Sequence, residues 1–234
     1  MKKAPTAVVL GASGLVGGFC LQTLLADSNY AHIVLLSRRA LPIAARLNGQ
    51  ATATHPTAQP SLTQKIISFE SFSAEDFAGA GDVFCALGTT IRKAGSQEAF
   101  RRVDLEYPLA AARMAHQAGA RQFVLVSSVG ADPVSKNFYL RTKGELEQEI
   151  TRLGFDALHV FRPSLLLGKR EEFRLGERAT VALAPLLNQV LWGGVRRYRA
   201  IPAAAVGKAM VAAAKAGNNG TSIYEYDQII RLAA

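Results

Sequence analysis

Tyr139 and Lys143 stand four residues apart. On a helix that spacing puts a phenol and an ammonium on one face. A phenol ordinarily has a pKa of about 10, too high for efficient proton transfer near neutrality. A neighbouring ammonium favours the phenolate and lowers that value, so the pair is a candidate acid–base device. Upstream, an apolar run of strand length ends in Ser127 and Ser128. One of those hydroxyls could polarise a carbonyl. Neighbours on a strand point to opposite faces, so only one of the two can serve, and Ser128 is the preferred candidate.

A second group of residues is suited to phosphate. Ala7 to Leu10 read as a buried strand, Leu15 to Leu25 as a helix, and Gly11-Ala12-Ser13-Gly14-Leu15-Val16-Gly17 as the turn between them. A turn this tight needs residues without a Cβ, so that the backbone can approach a pyrophosphate and the helix can pack close to the strand. The phosphates would meet free N–H groups at the positive end of the helix. The second strand ends in Ser37-Arg38-Arg39. An acid at this place bonds the ribose 2′-OH of NAD and repels a 2′-phosphate; two arginines would bind that phosphate instead. The chemistry therefore points to NADP rather than NAD.

These residues need a scaffold that brings strand ends together. Apolar runs at Ala7–Leu10, Ile33–Leu36, Ile66–Phe69, Val83–Leu87, Phe123–Ser127 and Leu158–Phe161 alternate with helical patterns, clearest at Ala110–Gln117 and Gly144–Leu153. This alternation predicts an α/β fold, a doubly wound parallel sheet of the Rossmann type. In such a sheet the glycine turn, Ser37, Gly88 and Ser127 gather on one edge, the carboxyl ends of the strands. Residues 48–65 read as a polar loop. From Pro163 the alternation weakens, although 223–226 could form a late strand. The expectation is one nucleotide-binding domain over residues 1–234, with 163–234 forming its substrate side.

The chain has 234 residues, 27 basic and 18 acidic, for a net charge of +9. The basic residues are scattered and no recognition helix or RNA motif appears, which favours an anionic small molecule over nucleic acid. The stretch 180–195 is apolar but interrupted by Pro185, Asn188 and Gln189, too broken for a membrane span. Arg196, Arg197 and Arg199 follow it, which leaves peripheral membrane contact as a minor alternative. Cys20 and Cys85 form no CxxC, and the four histidines show no metal spacing, so no metal site is expected. The cysteine pattern gives a reducing compartment, read as cytoplasmic.

Taken together, the glycine turn, the serine after the fifth strand and Tyr-x-x-x-Lys resemble the short-chain dehydrogenase/reductase superfamily. The segments Leu87-Gly88-Thr89-Thr90, Lys93-Ala94-Gly95-Ser96, Val103-Asp104, Ser127-Ser128-Val129-Gly130-Ala131-Asp132, Asn137-Phe138-Tyr139-Leu140, Lys143-Gly144-Glu145 and Arg162-Pro163 are similar to an atypical branch of it. That branch includes the Tat-interacting, oxidoreductase-like tumour-suppressor proteins and their bacterial relatives, among which the chain is placed. The resemblance implies NADPH contacts from Ser13, Gly14, Leu15, Val16, Arg38, Arg39, Leu87, Gly88, Thr89, Tyr139, Lys143, Leu166 and Arg174, beside Gly11 and Gly17 of the turn. One departure stands out. Many dehydrogenases supply an Asn after the fourth strand to hold a proton-relay water, and Asp104 occupies that region here. An ionised Asp accepts but does not donate.

Two functions follow as expectations. The first is an NADP(H)-dependent oxidoreductase acting on an unidentified carbonyl or alcohol, with Tyr139, Lys143 and Ser128 or Ser127 as its catalytic residues. The alternative is an NADPH-binding regulator or scaffold with a protein partner and little turnover.

Overall fold

Strands buried on both faces must be apolar at successive positions, and the chain supplies such runs where helices can cover them. The computed structural model describes residues 5–42, 60–168 and 193–234. Strand β1 (Thr6–Leu10) leads into helix α1 (Leu15–Leu25), then β2 (His32–Ser37) and β3 (Ser61–Ile66). Strand β4 (Ala80–Cys85) is followed by short helices α2 (Ile91–Ala94) and α3 (Gln97–Arg101), a π-helical turn (Arg102–Glu106) and α4 (Tyr107–Gln117). Then come β5 (Gln122–Val126), α5 (Phe138–Thr151), β6 (Ala157–Phe161) and two-residue strands β7 (Leu166–Leu167) and β8 (Ile201–Pro202). Helix α6 (Ala203–Lys215), β9 (Gly220–Tyr224) and α7 (Tyr226–Ala233) close the chain.

Seven strands form one sheet in the order β3-β2-β1-β4-β5-β6-β9, every pair parallel. The order reverses between β1 and β4, which opens a crevice at their carboxyl ends. Side chains alternate between two cores. Ala7, Val9, Leu35, Phe84, Val124 and Phe161 face α1 and α6, while Val8, Leu10, Val83, Leu125 and Val160 face α4 and α5. Helices α1 and α6 cross closely because position 207 is Gly: a Cβ there would lie 2.7 Å from the Cys20 nitrogen.

The structure corrects the third strand. The expected run Ile66–Phe69 meets the strand only at Ile66; the strand is Ser61–Ile66, most of it inside the stretch read as a loop. It is an edge strand paired only with β2, so its sequence SLTQKI is largely polar and half-exposed. The late strand is Gly220–Tyr224, and Tyr226 already begins α7. Thus part of the region assigned to the substrate side returns to the main sheet and to the α1 face.

A buried polar network ties β4, β5, β6 and β9 together. The Gln122 amide donates to Asp82 at 2.7 Å and to the Ala214 carbonyl at 3.0 Å. Tyr30 donates to Asp82 at 2.7 Å. His159 lies 2.9 Å from the Tyr224 hydroxyl and 3.3 Å from the Gln122 carbonyl oxygen. Burial, helped by the Arg121 charge, pushes the His159 pKa down from 6.5 to about 4. In between, the unfolded chain binds a proton that the folded protein refuses, so acid favours unfolding. Stability should therefore fall as the pH drops from 6.5 to about 4 and not recover at lower pH. Urea denaturation across that window should show His159→Gln losing roughly 1–2 kcal/mol less than the parent over it; an identical slope in both proteins would remove His159 as the cause.

Candidate nucleotide-binding and catalytic site

The glycine turn is built as its chemistry requires. Gly11 has φ +84°, and a Cβ on it would sit 2.4 Å from the Ala86 carbonyl oxygen. A Cβ on Gly17 would sit 2.3 Å from the Gly11 carbonyl oxygen. The Gly14 amide donates to that same oxygen at 2.8 Å. Helix α1 starts at Leu15 with no side-chain cap and no acidic residue in its first turn. Ser13 and Gly14 are exposed, Leu15 is half-buried, and Val16 and Gly17 are buried beneath them. Uncapped amides at the positive end of a helix suit an anion, so the residues fit a dinucleotide.

At the end of β2 the arginine turn is held by its neighbours. Ser37 donates to the Arg39 carbonyl at 2.9 Å, and Gln64 from β3 donates to Ser37 at 2.9 Å and to Arg39 at 3.3 Å. Arg38 and Arg39 are exposed, and the Arg38 guanidinium lies 5.7 Å from the centre of the Phe69 ring. Glu70 follows. Hydrogen bonds from Ser68 and then Tyr107, with a smaller contribution from the Arg38 charge, bring its carboxyl down to about 2.

Helix α5 carries the phenol and the ammonium. Asn137 caps it, accepting from the Leu140 amide at 3.2 Å. Tyr139 is half-buried beside Phe100, with ring centres 5.6 Å apart. The loop after β5 crosses the helix at Gly144, where a Cβ would lie 2.2 Å from the Asp132 and Pro133 backbone. The Asp132 amide donates to the Leu140 carbonyl at 3.2 Å. This contact sets the serine loop against the helix at Leu140 and Gly144, the positions next to Tyr139 and Lys143.

Lys143 is almost wholly buried, with 4% of its side chain exposed, and its Nζ lies 2.7 Å from Asp104 Oδ1. Asp104 Oδ2 accepts from the Thr89 amide at 2.7 Å. Gly88 adjoins both: a Cβ there would lie 3.2 Å from Asp104 Oδ1 and 3.8 Å from Lys143 Nζ. Leu87 and Thr89 flank Gly88, half-buried. Leu166, in β7, packs with Leu15 on the α1 core. Cys85 lies below, its thiol pushed up to about 11 by burial, so it stays protonated.

The two serines separate. Ser127 is buried and donates to Glu147, whose carboxylate is also gripped by Arg162 through Nε at 3.1 Å and through Nη2. Its hydroxyl is committed to this network, which counts against Ser127 as the carbonyl-polarising group. Ser128 is half-buried, and its hydroxyl reaches the Val129 carbonyl only at 3.4 Å, too far to hold it firmly. Glu147 is absent from the sequence-based set. The one signal for it is its place a turn beyond Lys143 on the same face. Arg174 lies outside the described residues.

The fold and this edge define a Rossmann-type nucleotide-binding protein of the short-chain dehydrogenase/reductase kind. The chain is 39% identical over 171 residues to Protein HTATIP2 of Rattus norvegicus, covering 72% of this chain and 66% of that protein. It is 33% identical over 218 residues to the mitochondrial protein FMP52 of Coccidioides immitis, covering 92% and 88%. The chain belongs to the atypical short-chain dehydrogenase/reductase family of HTATIP2 and FMP52. No family model matches it. Among solved structures, MoeE5 in complex with UDP-glucose and NAD superposes with a TM-score of 0.66 at 15% identity, covering 98% of this chain and 81% of that one; at that identity it supports the fold alone.

These relatives correct two expectations. They are eukaryotic, and give no support to a bacterial placement. The cytoplasmic location is overturned by the fungal relatives, which are mitochondrial by name. Cys20 and Cys85 are both free and buried, which does not choose a compartment. Among the described residues no helix is long and apolar enough to cross a membrane.

The serine assignment can be tested by stability. Ser127→Ala removes a buried hydrogen bond to a carboxylate and should cost about 1–2 kcal/mol in urea denaturation. Ser128→Ala should stay within about 0.5 kcal/mol of the parent. The reverse pattern would return Ser127 to the cleft.

Proposed function

We propose that this protein is an NADP(H)-dependent oxidoreductase that moves hydride between the nicotinamide and an unidentified carbonyl or alcohol substrate. The observation that carries this reading is the meeting, at one sheet edge, of an uncapped glycine-turn helix with the face bearing Tyr139 and Lys143. The amides from Ser13 to Val16 would hold the pyrophosphate. Arg38 and Arg39 would take the 2′-phosphate in charge-assisted bonds. Leu87, Gly88, Thr89 and Leu166 would flank the nicotinamide riboside.

The bound nucleotide would supply or accept the hydride. Tyr139 would give its proton to the carbonyl oxygen in reduction, or take one from the alcohol in oxidation. Lys143 would hold the ribose and favour the phenolate, and Ser128 would donate a hydrogen bond to the reacting oxygen. The chain's own contribution is orientation and electrostatics.

The Asp104 carboxylate on Lys143 favours a second reading, an NADPH-binding regulator with a protein partner and little turnover. It offsets part of the ammonium's charge, so the phenol gains less from Lys143 than it would from a lone cation.

Calorimetric titration with NADPH and NADH tests the cofactor. NADPH should bind roughly tenfold or more tightly, with the preference abolished in Arg38→Ala/Arg39→Ala and NADH affinity unchanged. Failure to bind either nucleotide would end both readings. Tyr139→Phe should keep NADPH affinity and lose about 100-fold or more in turnover on a carbonyl panel. Binding without turnover in the parent, with partner capture that depends on NADPH, would decide for the regulator.

A further inference from the structure

The Asp104–Lys143 pair is poorly explained as a stability device. Two opposite charges withdrawn from water gain little over apolar side chains of similar volume, while either charge left alone is strongly destabilising. The pair also stands beside the cleft, next to exposed Gly88, at the edge of the core that holds Cys85 and Leu105. Asp104 reaches it from a π-helical turn, a local departure from α-helix that brings its side chain to 1% exposure. Both carboxylate oxygens are used, one on the α5 ammonium and one on the amide of the loop after β4.

Building on the nucleotide site above, we propose that Asp104 is a positioning residue. It fixes the Lys143 ammonium against the Gly88–Thr89 loop, so that one N–H stays on Asp104 while another meets a ribose hydroxyl. An ammonium has three donors and can serve both partners at once. The bridge also ties α5 to the end of β4, so the phenol-bearing helix and the ribose-facing loop keep one geometry.

The electrostatics act in the same direction. Burial works against the Lys143 charge, but the Asp104 carboxylate, assisted by Tyr139, outweighs it and holds the ammonium above the ordinary lysine range. The titratable groups facing Lys143 are Asp104 from the π-helical turn, Cys85 from β4 and Tyr139 from its own helix. Without Asp104 the carboxylate that opposes burial is gone, and burial would favour loss of the Lys143 proton.

The test is Asp104→Asn, read in two ways. In the nucleotide-free protein, NMR of 13Cε-labelled lysine should show Lys143 titrating above the ordinary value of 10.5 in the parent and below it in the variant. NADPH affinity should be flat from about pH 7.5, where the 2′-phosphate is already a dianion, to about pH 9.5 in the parent, and should weaken roughly tenfold across that range in the variant. An unmoved Lys143 titration, or an equal loss of affinity at every pH, would overturn the proposal. If the parent binds no nucleotide, the functional reading fails, and the lysine titration still decides the role of Asp104. If Asp104→Asn does not fold, Asp104→Asn/Lys143→Met should, because it removes both charges; a double variant equally unfolded would make Asp104 a purely structural residue and overturn the proposal.

Discussion

The absence of a side chain at Gly11 is the constraint on which the site depends. Its backbone lies against the carbonyl of Ala86, just past the end of β4, at the place where strand order reverses. No other residue tolerates both that contact and φ +84°. Gly17 completes the arrangement by letting the first turn of α1 rest on the Gly11 carbonyl. The result is an uncapped helix end over an open crevice, held by two inner strands of the sheet. A polar ligand site can rest on so apolar a base because the anion-binding groups are backbone amides, whose positions follow from the turn itself.

Helix α5 joins this crevice to two polar systems with different fates. Toward the cleft, Lys143 is paired with Asp104 and linked to the Thr89 amide. One turn further on, Glu147 is sealed among Ser127 and Arg162, which fastens the ends of β5 and β6 to the helix. Gly144 lies between them and lets the Asp132–Pro133 backbone press on the helix. The helix is thus located from both sides. That is what a proton-transfer geometry needs, since small displacements of a reacting group carry large rate penalties.

Much of this was legible in the sequence, and the failures have physical causes. The buried strands are apolar throughout, so β1, β2, β4, β5 and β6 were readable to within a few residues, and α1 was read end to end. β3 was not, because an edge strand has one neighbour and open flanks, and SLTQKI carries no apolar run. Helix α6 was not, because alanine and glycine dominate it; its packing depends on small size at the α1 crossing, which periodicity of bulky residues does not register. At the site, motif spacing picked out Tyr139, Lys143, the glycine turn and Arg38–Arg39 as candidates. It could not tell Ser127 from Ser128, because that difference lies in Glu147 and Arg162, which come from elsewhere in the chain.

The arginine turn shows how far charge alone is from specificity. Net charge of +9 predicts attraction for any anion. What the structure adds to the charge is restraint: Ser37 and Gln64 fix the Arg39 carbonyl, and Phe69 offers a flat surface to the Arg38 guanidinium. Glu70 keeps its negative charge close by, held by Tyr107 and Ser68. A phosphate arriving here would share Arg38 with that carboxylate, which favours a dianion able to engage Arg39 as well over a weakly charged ligand. The bonds that hold the Arg39 backbone come from Ser37 at the end of β2 and from Gln64 of β3, the strand hardest to see in the sequence.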